Sequence, residues 1–202
     1  MNIVSKNKTI AAAILAGGNA SRLGGVAKGT LNVGKGIYIV DRLIKELYES
    51  GISKVIIITN DSIPYLNCGV KIISDIRSGI GPLGGIEAAL VYFENKFDAV
   101  MFVPCDMPNI TAKELLALKQ AFFETNNYVV FAETESFFWH PLCAVVHIGL
   151  KEYISFAVDH GQLKIRDLWK QFNAKTVQFL ESNAFLNIND FEDLKKWQKV
   201  CT

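Results

Sequence analysis

Hydrophobic positions along the chain fall into two alternating patterns. Thr9–Leu15 and Lys54–Thr59 centre on unbroken apolar runs, I-A-A-A-I-L and V-I-I-I. Such runs suit strands covered on both faces. Between them, Val40, Leu43, Ile44 and Leu47 recur at helical spacing, so Val40–Glu49 is predicted as a helix with Gly51 closing its end. Val70–Ser74 reads as a short third strand, Gly85–Phe93 as a helix and Ala99–Val103 as a fourth strand stopped by Pro104. Thr111 followed by Glu114 is a capping-box signature, which predicts a helix over Ala112–Glu124. Tyr128–Ala132 and Leu142–His147 complete a set of six strands. The segment from Gly149 onward is more polar and mixed, and is expected to close over the sheet without forming a second core. Asp190 is expected to begin the last helix.

Strands separated by helices imply βαβ units and a mainly parallel sheet. The reading is one α/β domain over residues 1–202, with no repeat, linker or low-complexity tract. Ligands of such sheets bind beyond the carboxyl ends of the strands. Those ends fall at Leu15, Asn60, Asp75 and Asp106, so polar or glycine-rich features gather at one edge.

Charge adds a direction to this picture. Net charge is only +1, which argues against nucleic acid or a membrane surface as partner. Yet no Asp or Glu precedes Asp41, whereas Lys6, Lys8, Arg22, Lys28 and Lys35 do. A cationic N-terminal field favours an anionic ligand, although pairing with later acids would cancel it. Lys6 and Lys8 ahead of Ile10–Ala16 faintly resemble a signal peptide. The run is short for one and flows into a loop with its own chemistry, so it is read as the first strand. No stretch is long and apolar enough to span a membrane. Cys68, Cys105, Cys143 and Cys201 form no C-x-x-C pair, which argues against zinc or a disulfide framework and for thiols in a reducing cytoplasm.

Three motifs carry the candidate chemistry. The first, L-A-G-G-N-A-S-R-L-G-G-V-A-K, runs from Leu15 to Lys28. Gly17, Gly18, Gly24 and Gly25 let backbone N–H groups approach a phosphate. Arg22 can grip phosphate oxygens in pairs and Lys28 supplies a point charge. Gly29 follows Lys28 where a Walker A loop needs Ser or Thr, so the motif is a different phosphate loop. The second, D-I-R-S-G-I-G-P-L-G-G, spans Asp75 to Gly85. Gly79, Gly81 and Gly84 satisfy G-x-G-x-x-G in form, but the segment follows the third strand and Pro82 stiffens it. A loop closing over a base or second substrate is the better reading than a dinucleotide turn, with a plain strand–helix connection as the bland one. The third is V-P-C-D-M-P, Val103 to Pro108. An aspartate just past a buried strand binds Mg²⁺ with substrate phosphates, or serves as a turn residue.

Other positions remain open. His140 can line a pocket or be a satisfied core histidine; His147 and His160 read as structural. Asn187 and Asn189 alternate on an extended stretch and so share a face, with turn and ligand roles both available. Lys164 and Arg166 are suited to an anionic second substrate or to a solvated face. No Ser–His–Asp or Cys–His arrangement points to covalent catalysis.

The loop L-A-G-G-x-x-x-R-x-G-G-x-x-K, the segment G-P-L-G-G and P-C-D-x-P, in that order, resemble the molybdenum cofactor guanylyltransferases. The resemblance continues more thinly through W-H-P-L and L-N-I-N-D. It implies a Rossmann-like three-layer α/β nucleotidyltransferase fold with a mainly parallel central sheet. It implies transfer of GMP from GTP to molybdenum-bound molybdopterin, with Mg²⁺, releasing pyrophosphate. By position its nucleotide contacts would fall on Leu15, Ala16, Gly17, Lys28, Asp75 and Asp106; the two glycine-rich segments add Gly18, Gly81 and Gly84 as candidate nucleotide-binding positions. Asp106 would also hold the metal, and Arg22, Lys28 and Asp106 would carry catalysis. A family asparagine near the end of the second strand falls on Ile58 here, with Asn60 two residues later. Cytidylyl relatives tend to have L-A-A-G in place of L-A-G-G, so the resemblance favours guanine. The alternatives are a cytidylyl or sugar-phosphate nucleotidyltransferase, or a non-catalytic nucleotide-binding protein that delivers cofactor. Transient contact with molybdopterin-supplying and molybdoenzyme-maturation proteins would accompany the guanylyl role.

Overall fold

The computed structural model describes residues 8–17, 25–34 and 36–200. Lys6, Gly18, Arg22, Gly24, Lys35 and Cys201, named above, lie outside the described residues.

The unbroken apolar runs form the centre of the sheet. β1 (Ile10–Leu15), β2 (Val55–Ile58), β3 (Lys71–Ile73) and β4 (Ala99–Pro104) are mutually parallel in the order β3-β2-β1-β4. Every residue of β1, β2 and β4 is buried, as expected of strands covered on both faces. Successive side chains serve opposite layers. Ala12, Ile14, Val55 and Ile57 join a core with α1 (Ile39–Glu49) and α3 (Ala112–Glu124). Ala11, Ala13, Leu15, Ile56 and Ile58 join one with α2 (Pro82–Phe93), α4 (Lys151–Asp159) and α5 (Ile165–Gln171). The result is the expected three-layer α/β architecture with a mainly parallel sheet.

The local signals act as expected at most ends. α1 buries Ile39, Val40, Leu43, Ile44 and Leu47, and Gly51 at φ 77° turns the chain out of it. The Thr111–Glu114 capping box is formed in both directions. α2 begins earlier than Gly85 because Pro82 occupies its first turn, where no N–H is needed, and Gly81 caps it at φ 69°.

The other half of the sheet departs further from expectation. β5 (Val129–Thr134) pairs with β6 (Phe138–His147), which runs antiparallel to β4 as well. β6 begins before Leu142, and a register irregularity at Phe131/Ala132 accommodates the change. A seventh strand, β7 (Lys175–Phe179), adds to β5 in parallel within the segment expected only to cover the sheet. Its Lys175 and Gln178 are exposed, the mark of a polar edge strand that periodicity does not flag. α6 (Phe191–Val200) follows Asp190, whose carboxylate accepts from the Glu192 and Asp193 amides at 2.9 Å each.

Candidate active site

Parallel strands deliver their carboxyl ends to one edge. At Leu15 the chain leaves β1 between β2 and β4: the Ala16 amide donates to the Ile58 carbonyl at 2.9 Å, and the Cys105 amide to the Leu15 carbonyl at 3.0 Å. These bonds fix where the glycine loop departs. Gly17 is exposed, and no described atom lies within 4 Å of where its Cβ would stand. The chain returns at Gly25, at φ 84°, and enters the short turn Lys28–Thr30. Gly29 is pressed against Tyr65: an added Cβ would stand 2.8 Å from the ring. Only glycine lets this turn approach the ring, and the approach sets the origin of the Lys28 side chain.

Lys28 reaches across the end of β4. Its Nζ lies 3.0 Å from Asp106 Oδ2 and 3.1 Å from Asn189 Oδ1. The Ile188 amide donates to the Asp106 carbonyl at 2.8 Å, so the L-N-I-N-D stretch is laid along the exit of β4. Ile188 is buried while Asn187 and Asn189 are exposed, the expected alternation. The structure therefore adds Asn189 to the Lys28–Asp106 pair. Lys28 and Asp106 side chains are each 22% exposed, which leaves both open to a ligand.

A second cluster stands at the ends of β2 and β3. Asn60 Nδ2 donates to Asp75 Oδ2 at 2.9 Å, and the Asp75 amide donates to Asn60 Oδ1 at 3.0 Å. Ile58, where the family asparagine falls, is buried and would touch any Cβ placed on Gly85 at 3.0 Å. It offers no polar group to a ligand; Asn60 stands beside Asp75 instead. Gly84 is required by packing, since its Cβ would lie 3.0 Å from the Arg77 carbonyl oxygen. The G-x-G-x-x-G spacing therefore serves a turn after the sheet-edge strand β3 and the packed first turn of α2, where a dinucleotide fingerprint would follow the first strand.

The remaining candidates have structural partners. His140 is buried, 3.1 Å from Thr134 Oγ1 and stacked on Phe185. Burial, reinforced by Arg166, lowers its pKa to about 4. His147 Nδ1 accepts from the Gly149 amide at 2.9 Å, and His160 stacks on Phe156. Arg166 donates to the Trp139 carbonyl at 3.2 Å and lies over the Phe138 ring; Lys164 supplies the backbone cap of α5. Cys105, beside Asp106, is buried and its thiol is pushed up to about 12 by that burial. It is a packed hydrophobe, not a nucleophile.

The donor set bears on metal binding. Among the described residues no three His, Cys, Asp or Glu side chains gather to hold an ion unaided. A lone carboxylate such as Asp106 suits Mg²⁺, an ion that keeps several waters and takes further ligands from substrate phosphates.

The fold and the family comparisons place the chain among the nucleotidyltransferases. Solved structures agree on the fold. Molybdopterin-guanine dinucleotide biosynthesis protein A from Archaeoglobus fulgidus superposes with a TM-score of 0.77 at 20% identity, covering 94% of this chain and 97% of that one. A putative glucose-1-phosphate thymidylyltransferase from Bacillus anthracis gives 0.74 at 14% identity, covering 95% of each. The model of the MobA-like NTP transferase domain matches residues 12–175, and the chain belongs to that family. A molybdenum cofactor guanylyltransferase from Haemophilus influenzae is 31% identical over 193 residues, covering 93% of this chain and 97% of its own length.

Proposed function

We propose that this chain transfers GMP from GTP to molybdenum-bound molybdopterin and releases pyrophosphate. The whole chain is read as one nucleotidyltransferase domain. The observation that carries this is the Lys28–Asp106–Asn189 cluster beside the departure of the glycine loop, at the carboxyl ends of parallel strands. The relatives' name supports the guanylyl donor and the acceptor.

The reaction is a direct displacement. A terminal phosphate oxygen of the acceptor forms a bond to the α-phosphorus of GTP. The bond from that phosphorus to the bridging oxygen breaks, and pyrophosphate leaves with the electron pair. The attacking oxygen is already anionic at neutral pH, so no general base is needed. Lys28 exchanges Asp106 and Asn189 for phosphate oxygens and offsets charge on the triphosphate and leaving group. Arg22 has the same role in this reading. Gly17 and Gly18 bring backbone close to phosphate, and Asp75, held by Asn60, orients the nucleotide. Asp106 would hold Mg²⁺, which when bound supplies charge neutralisation and alignment of the phosphates. No helix among the described residues is long and apolar enough to cross a membrane. A cytoplasmic setting, with transient contact to the proteins that supply molybdopterin and receive the product, fits the reading.

The test offers α-³²P-labelled GTP or CTP with Mg²⁺ and either molybdopterin or a sugar phosphate. Label should enter the molybdopterin product from GTP alone. Equal incorporation from CTP, or a preference for the sugar phosphate, would assign a different transferase. Tight GTP binding with no pyrophosphate release would identify a delivery protein.

A further inference from the structure

The loop from β3 to α2 carries Asp75 near one end and Gly81 at the other. Gly79 and Gly81 both adopt positive φ, 79° and 69°, a backbone course that glycine takes without strain. Arg77, between Asp75 and Gly79, ties the loop to the body of the protein. Its Nη2 lies 3.0 Å from Glu87 Oε1 on α2, and its Nη1 donates to Asp159, the last residue of α4. The Arg77 carbonyl is simultaneously pressed against Gly84. Side chain and backbone of one residue thus dock the loop where α2 packs on α4.

Glu87 makes this attachment one-sided. It is 2% exposed and sits among the apolar residues that α2 turns toward the sheet and α4. Oε1 also accepts from Ser155 Oγ on α4 at 2.7 Å, while Oε2 is buried without a hydrogen-bond partner among the described residues. A carboxylate buried so deeply is tolerated only with a cation against it. Arg77 is that cation, and its position at the end of α4 also meets the negative pole of the helix. Hydrophobic packing alone would not put a glutamate here. Its presence holds Arg77, and through Arg77 the loop.

We propose that Arg77 and Glu87 are positioning residues for the nucleoside triphosphate, which fix the Asp75–Gly81 loop in its nucleotide-accepting form before the nucleotide arrives. The inference rests on the reading of this edge as a GTP site. Ordering the loop in advance removes that cost from binding, while the phosphorus displacement takes place at Lys28 and Asp106. Releasing the loop therefore weakens nucleotide binding and leaves the bound complex reactive, which is a rise in KM without a matching loss of kcat.

The experiment uses the full chain and the double variant Arg77→Met/Glu87→Leu, which removes both charges and keeps comparable volume. Thermal melting establishes that it folds. Equilibrium GTP binding with Mg²⁺ and steady-state transfer are then compared with wild type. The expected result is a rise of about tenfold in Kd and KM for GTP, with kcat within about threefold and the acceptor KM unchanged. A folded double variant with wild-type KM, or one that loses kcat at constant KM, overturns the proposal. If the double variant does not fold, Glu87→Gln decides, because it keeps the acceptor oxygen and removes the charge. Its GTP KM should rise about threefold, and an unchanged value overturns the proposal. Failure of the wild-type chain itself to bind GTP would instead remove the nucleotide site on which the inference stands.

Discussion

Lys28–Asp106 and Arg77–Glu87 both close at 3.0 Å, yet they have opposite surroundings. Lys28 and Asp106 are equally half-open to solvent, at 22% each, and Lys28 has the neutral Asn189 Oδ1 as a second partner. An ion pair of that exposure contributes about 0–1 kcal/mol to stability. It can therefore change partners at little cost to the fold when a triphosphate arrives. Glu87, at 3%, has no such freedom, because losing its cation would leave a buried charge. The same bond length thus serves exchange at one place and retention at the other. Burial of the acid is what separates them.

Four substitutions and removal of the metal probe that contrast. Lys28→Ala should lower the transfer rate about a thousandfold or more while the melting midpoint moves by only about 2 °C. A folded variant with near-normal turnover would remove Lys28 from the chemistry. Asp106→Asn should cost about a hundredfold at saturating Mg²⁺, and chelation of the metal should silence wild type and variant alike. Retained activity in excess chelator would show that Asp106 works without an ion.

His140 extends the contrast to a group that is held in one protonation state. Burial and Arg166 lower its folded pKa to about 4, against an unfolded value of about 6.5. Between those values the unfolded chain binds a proton that the folded chain does not. Stability conferred by the neutral ring is fully present above about pH 6.5 and is lost as pH falls toward 4, a decline on the order of 2–3 kcal/mol. His147, lowered mainly by burial, contributes in the same direction. Denaturant titrations at several pH values should show this slope reduced in His140→Asn; an unchanged slope would place its origin elsewhere. The smallest effect is expected at Gly29. Its Cβ would meet the Tyr65 ring at 2.8 Å, so Gly29→Ala should destabilise by about 1–2 kcal/mol and raise the GTP KM by shifting Lys28. A variant as stable as wild type would mean the ring yields freely.

Much of this was legible before any coordinates. β1 and β2 announce themselves as unbroken apolar runs because both faces are buried, α1 shows a helical period because one face is, and Thr111–Glu114 marks the start of α3 locally. β7 leaves no such trace, since an edge strand with Lys175 and Gln178 exposed looks like any polar segment. Pro141 disguises the early part of β6 for a similar reason: proline counts against a strand unless pairing is irregular nearby. The site divides in the same way. Lys28 and Asp106 stand in motifs whose chemistry can be read residue by residue. The contact of Lys28 with Asn189 crosses 161 positions and depends on the return of the chain beside β4. That Ile58 is buried against Gly85 while Asn60 meets Asp75 depends on where β2 stops facing the core, a boundary the residues do not mark locally. Nothing local to Arg77 or Glu87 signals that one would be buried against the other.

The most direct test is a structure of the chain with GTP and Mg²⁺ bound. Lys28 Nζ should have left Asp106 for a phosphate oxygen, Asp106 should face the metal, and Arg77 should still rest on Glu87 with the loop around Asp75 unmoved. A triphosphate bound elsewhere, with Lys28 still paired to Asp106, would contradict the assignment of this edge as the catalytic site.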